Sequence, residues 1–182
     1  MTSTEITAST TGRLDRERAD LLESLGRHRF FLRYTVAGLT EAQARLRPTA
    51  SALCLGGLIK HVAATEATWA EFALRGPAAF PTMDWSSPEV AESWAAEHEL
   101  LPEETLAGAL ERYERVAART DDLVRTLPSL DAEHPLPAAP WFEPGAAWSA
   151  RRALLHIIAE TAQHAGHADV IRESIDGQKT MG

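Results

Sequence analysis

At 182 residues, 45% of them hydrophobic, the chain is long enough to bury one ordinary core, and a single domain is expected. A formal net charge of -8 argues against nonspecific binding to nucleic acid or to an anionic membrane, both of which need a basic patch, and favours small-molecule partners. The single cysteine, Cys54, excludes an intrachain disulfide and any site built on several thiolates; it fits a reducing compartment, so a cytoplasmic location is expected.

Residues 1–12 are rich in Thr and Ser and lack both the basic start and the apolar run of a signal peptide, so they read as a disordered tail before a domain over 13–182. No segment approaches the ~18 consecutive apolar residues of a membrane span. From Leu14 to Val36, apolar residues recur at helical spacing (Leu14, Leu21, Leu22, Leu25, Phe31, Leu32), with Gly38 as the stop. His28 shares the face of Leu21, Leu25 and Leu32; it is either a core or boundary histidine or one that reaches a central site. Thr40 and Gln43 make a capping-box start for a short helix ending before Pro48.

The second long helix is expected from Gly57 to Leu74, ended by Gly76 and Pro77. His61 lies on its inward stripe with Leu58, Thr65, Trp69 and Phe72, while Gly56 and Gly57 suit a turn or a close backbone approach. Glu66 reads as solvated. Residues 76–101, punctuated by Pro77, Pro81 and Pro88, read as a wrapped connection holding one short helix, Glu89 to Glu97, with Trp94 inward. A third long helix is expected from Pro102 to Leu127, structural throughout, with its charges outward. The stretch from Pro128 to Trp148 also holds Pro135, Pro137, Pro140, Pro144, Trp141 and Phe142; it is too long for a plain connection and reads as a lid or pocket wall. Cys54 reads as a small apolar residue with no helix start beside it, Arg151 and Arg152 as surface charge, and His98 and His134 as loop-surface residues.

The last helix, Ser149 to Asp176, carries His156, Glu160, His164 and His167 within about one quadrant of its circumference at ~100° per residue. Leu154, Leu155, Ile157, Ile158, Val170 and Ile171 leave little of its surface polar, so part of this stripe is expected to be buried and to need partners, which a metal ion would supply. With four long helices, no strand pattern and no repeat, the expected fold is all-α: a four-helix bundle with long crossover connections, a class that places metal sites between facing helices.

The pairing of GGLIKHVAATEATW (56–69) with LLHIIAETAQHAGHADVIRESIDG (154–177) resembles the DinB/YfiT-like superfamily of metalloenzymes. The resemblance implies a four-helix bundle, often dimeric, whose metal is held by one histidine of helix two and two ligands four apart on the last helix. These positions are His61, Glu160 and His164 here. Glutamate at the middle position is similar to the mycothiol-dependent maleylpyruvate isomerase branch, whose zinc is held by two histidines and one glutamate. The chain is expected to do without that enzyme's additional C-terminal domain, which contributes an arginine to its substrate site. The resemblance therefore implies a metal-dependent small-molecule enzyme, a thiol-dependent S-transferase or isomerase that takes a low-molecular-weight thiol as cosubstrate. Two imidazoles and one carboxylate suit zinc in a catalytic setting and equally nickel, manganese or iron. His167 is expected beside the ligands, moving a proton or closing the site as a fourth ligand, and His156 is expected to orient Glu160 or face another helix. The competing readings are a metal-dependent hydrolase and a non-enzymatic dimer with a structural metal; three protein ligands favour catalysis and four favour structure.

Overall fold

The computed structural model describes residues 14–84 and 87–180; the expected tail and the side chain of Trp94 lie outside the described residues. The chain is all-α, with six helices and one small ribbon among the described residues. Helix α1 (Arg16–Tyr34) is capped by the Asp15 side chain, which accepts from Arg18 N at 2.8 Å. Helix α2 (Glu41–Ala44) starts at the expected Thr40/Gln43 capping box. Helix α3 (Leu55–Arg75) begins before the expected Gly57, and both glycines lie in its first turn; Gly76, at φ 63°, ends it.

Helix α4 (Pro88–Glu97) sits in the wrapped connection. Helix α5 (Leu106–Thr126) starts later than Pro102, because Thr105 is the residue whose side chain meets an orphan amide, that of Gly108 at 3.0 Å. Within 128–148 the chain forms two three-residue strands, β1 (Glu133–Pro135) and β2 (Ala147–Ser149), paired antiparallel with His134 opposite Trp148. Strands that short leave no alternation to read, so they were not expected. Helix α6 (Ala150–Asp176) is capped by Ser149 and closed by left-handed Gly177.

The four long helices pack on one another: α3 lies against α6 and α5, and α1 against α6 and α5. Arginines tie their ends. Arg18, near the start of α1, donates to the carbonyls of Val124 and Leu127 at the end of α5. Arg172, late in α6, donates to the carbonyls of Thr35 (2.8 Å) and Ala37 (2.9 Å) after α1. The bonds to Val124, Leu127 and Thr35 satisfy carbonyls at helix ends that no helix can satisfy internally, and the placement of both arginines sets α1 parallel to α6 and antiparallel to α5.

The core divides into two apolar clusters. One gathers Leu32, Leu55, Leu58, Ile59, Val62, Ala168 and Ile171; the other gathers Leu21, Leu25, Trp69, Phe72, Val124, Leu154 and Ile157. Between them runs a polar layer of Arg29, Glu66, Thr120 and Thr161, all buried. The Arg29 fork grips Glu66 through Nη2–Oε1 at 2.6 Å and Nε–Oε2 at 3.1 Å, and its Nη1 reaches Asp121 at 2.7 Å. Burial works against the charge on Arg29, but Glu66 and Asp121 together hold its pKa above the ordinary value. Glu66, expected to be solvated, is fully buried. The reason is that Arg29, not its neighbour His28, is the residue α1 turns to the centre; His28 is half-buried and outside the candidate site.

Candidate metal centre

Helix α3 packs most closely on α6, and this contact brings His61 against the α6 stripe. The rings of His61 and His164 meet edge to face, with centroids 4.9 Å apart. One ligand atom from each of His61, Glu160 and His164 lies within 4.8 Å of the others, so the three residues read as a ligand set in the sequence form one cluster that can hold a metal ion. All three are half-buried, with side-chain exposures of 15%, 27% and 13%. That exposure leaves the cluster open on one side, although the stripe was expected to be more enclosed. The reason is that α6 is packed on one face only: Leu155 and Val170 stand exposed on the opposite face.

The fit of an ion can be tested on the cluster itself. Donors that share a zinc ion at ~2.0–2.1 Å stand roughly 3.4 Å apart, so shifts of about an ångström close this set. Among the described residues His61 Nε2 meets only the Thr65 hydroxyl, at 3.5 Å, which leaves that nitrogen able to take an ion, while Nδ1 is buried without a hydrogen-bond partner and stands 3.8 Å from Glu97 Oε2. A buried imidazole this poorly satisfied is what a ligand looks like before its ion is counted. The His164 ring, 3.5 Å from Glu160, lowers the Glu160 pKa below the ordinary carboxylate range, with His156 and His61 adding to the effect and burial opposing it. The carboxylate is thus ionised, as a ligand must be.

The other histidines divide by environment. His167 is exposed, and its Nδ1 stands 3.5 Å from His164 Nδ1; it touches the cluster through His164 and is not one of the grouped donors. His156 lies 3.8 Å from Glu160 and against the rings of Trp69 (4.7 Å) and Trp148 (5.1 Å). Burial among those rings lowers its pKa, outweighing Glu160, so it is neutral near pH 7.

The 128–148 stretch supplies the wall on this flank. Trp148 stacks on Trp69 at 4.8 Å, Phe142 meets both rings, and Arg152 lies over Trp148 at 3.9 Å, while Trp141 is 52% exposed. Arg151 stays at the surface, bound to Glu17 and Asp131. Cys54 does precede a helix, at the N-cap position of α3, yet it is buried and serves as an apolar residue.

Two expectations are corrected. His134 is half-buried in strand β1 rather than on a loop surface: it packs on Phe72 at 5.8 Å and against Gly76. His98 is likewise half-buried, its ring stacked on His61 at 4.0 Å and 25°. Beside it, Glu97 Oε2 stands 3.8 Å from His61 Nδ1, and the His61 ring holds the Glu97 carboxyl below its ordinary range. Both residues were missed as parts of the site, and the one available signal was the Gly56–Gly57 pair, which announced a close approach without naming what approaches.

Among the described residues no helix is long and apolar enough to cross a membrane. The mycothiol-S-transferase family model matches residues 20–177, and the chain belongs to that family, which is of the DinB/YfiT-like kind that the two quoted segments resemble. A comparison with curated proteins returned no match.

Proposed function

We propose that this member of the mycothiol-S-transferase family transfers the sulfur of a low-molecular-weight thiol, mycothiol by the family's name, to an electrophilic carbon, with a divalent metal held by His61, Glu160 and His164. The observation that carries the reading is the donor set: two imidazoles and one carboxylate converge from two helices, with no fourth residue in the group among the described residues. Three protein ligands are the pattern of catalytic rather than structural zinc, and zinc is the first choice; nickel, manganese and ferrous iron accept the same donors. A hydrolase or a purely structural metal has less support, since the family is named for thiol transfer and His167 does not join the donors.

A divalent ion in this place supplies Lewis acidity that brings a thiol's pKa down toward neutral pH. The chain's own residues do the rest. Glu160 cancels one unit of charge and the two imidazoles none, so the site keeps a net positive charge that favours an anionic sulfur. The new sulfur–carbon bond forms as the bond from that carbon to its leaving group breaks, the leaving group keeping the electron pair. The thiol proton passes to solvent, and His167, exposed beside His164, is the imidazole assigned to carry it. Phe142 and Trp148 shield the flank of Glu160 from water through their packing on Trp69 and His156.

The test is elemental analysis of untagged protein, wild type against His164→Ala, followed by loss of free thiol in the presence of an alkyl halide. About one equivalent of metal per chain, absent from the variant, with thiol consumption that follows the metal, is the expected result. No metal in the wild type and no uptake of zinc, nickel, manganese or ferrous iron on titration would remove the reading.

A further inference from the structure

The segment from Ala96 to Glu104 is strapped across the first turns of α3. Lys60 Nζ donates to the carbonyls of Ala96 (3.0 Å) and Glu99 (3.2 Å) and to Glu104 Oε2 (2.7 Å). Arg45 donates to the carbonyls of Leu100 (2.6 Å), Leu101 (3.2 Å) and Glu104. The fit under this strap needs glycine: a Cβ on Gly57 would lie 1.8 Å from the His98 carbonyl oxygen, and one on Gly56 would lie 2.3 Å from Leu100 Cδ1. Residues 97 and 98 are therefore held against α3 one turn before His61, by contacts that involve no candidate ligand.

What the strap delivers there is chemically specific. His98 covers one face of the His61 ring. Glu97 brings a carboxylate oxygen to 3.8 Å from His61 Nδ1, a buried nitrogen that has no hydrogen-bond partner. An imidazole that binds a metal through one nitrogen presents the other as an N–H, and the acceptor that meets this N–H decides both tautomer and ring orientation. Glu97 side-chain exposure is 40%, so the carboxylate has room to move the roughly 1 Å that separates this contact from an ordinary hydrogen bond.

We propose that Glu97 is the positioning residue of this site: carried in by the strap, it accepts the Nδ1–H of His61 and so aims the opposite nitrogen at the metal. The proposal rests on the metal reading above and adds to it a residue outside the ligand set and the strap that holds it. Removing such a carboxylate partner weakens metal affinity by roughly 10–100-fold while leaving the ligands in place.

The experiment compares wild type, Glu97→Ala, Glu97→Gln and His164→Ala. Zinc affinity is measured by competition with a chromogenic chelator, the cobalt(II) visible spectrum of each loaded protein is recorded, and the melting temperature of each metal-free form is taken as a folding control. Glu97→Ala is expected to bind zinc roughly 10–100-fold more weakly. Glu97→Gln, which keeps an acceptor oxygen, should recover part of that loss. Cobalt band intensity should stay at the wild-type value in both, because the ligand number is unchanged, and the metal-free melting temperatures should agree. Zinc affinity in Glu97→Ala within twofold of wild type, alongside loss of metal in His164→Ala, would overturn the positioning role while leaving the metal reading intact. A change in cobalt band intensity would overturn it too, by making Glu97 a ligand. A wild type that binds no metal would remove both readings together.

Discussion

Gly57→Ala sets two sequence-local and tertiary effects against each other. Within a helix, alanine is favoured over glycine by ~0.5–1 kcal/mol, and Gly57 lies inside α3, so helix propensity alone predicts stabilisation. The strap predicts the opposite. The new Cβ would stand 1.8 Å from His98 O, 2.3 Å from His98 C and 2.8 Å from Glu99 Cα, all backbone atoms that cannot rotate away. To reach ordinary contact the strap must retreat by roughly 1.5 Å, which is overpacking at ~1–3 kcal/mol. The same retreat lengthens the Lys60 bonds to Ala96 and Glu99, charged hydrogen bonds worth ~1.5–3 kcal/mol when intact. A net loss of ~2 kcal/mol follows once the propensity gain is subtracted. Gly26→Ala is the matched control: it makes the same chemical change inside α1, where a Cβ meets nothing within 4 Å, and should gain ~0.5–1 kcal/mol. Urea unfolding of the metal-free proteins, followed by far-ultraviolet circular dichroism, measures both. A Gly57→Ala protein as stable as wild type, or shifted in the same direction as Gly26→Ala, would refute the close approach on which the strap depends.

The buried ion pair gives a second test: Glu66→Leu leaves Arg29 with Asp121 alone and should cost ~3–5 kcal/mol, whereas Arg29→Met with Glu66→Leu should recover most of it; a double variant no better than the single would sink the explanation. Trp69→Ala empties the centre of the aromatic wall and should cost ~3–5 kcal/mol in urea unfolding, with a loss below ~1 kcal/mol contradicting the packing described. For Glu160 the folded-state pKa lies below its ordinary value of 4.5, so its contribution is present above pH 4.5 and lost as pH falls through the lowered value. In chelator, the stability gap between wild type and Glu160→Gln should be open at pH 6 and narrow in acid; a gap that is independent of pH would count against the contact with His164.

The long helices were legible from the period of their apolar residues, and α2 from its capping box. In the structure Asp15, Thr40, Ser149 and Gly177 cap these helices by acting on amides and carbonyls within a few residues of themselves, although only the Thr40 box was read as a cap in the sequence. Where a boundary was misplaced, a nearby competitor was responsible: Pro102 looked like a first helical residue, but Thr105 had the capping oxygen. The short ribbon of β1 and β2 had too few residues to show a pattern.

The candidate site shows the same divide between local and distant causes. Glu160 and His164 are one turn apart on a single helix, so the sequence by itself determined that they share a face, and the helical stripe of α3 determined that His61 points inward. That these two faces meet was decided by the packing of α3 on α6. The burial of Glu66 depends on a partner 37 residues away, Arg29, whose charge no periodicity at position 66 reveals. Glu97 and His98 lie against His61 in a segment that Lys60 and Arg45 hold by its carbonyls, and backbone carbonyls are the same in every residue, so no residue type records where they lie. Helix faces follow from the chain's own period, while the environment of a side chain follows from whatever the fold lays over it.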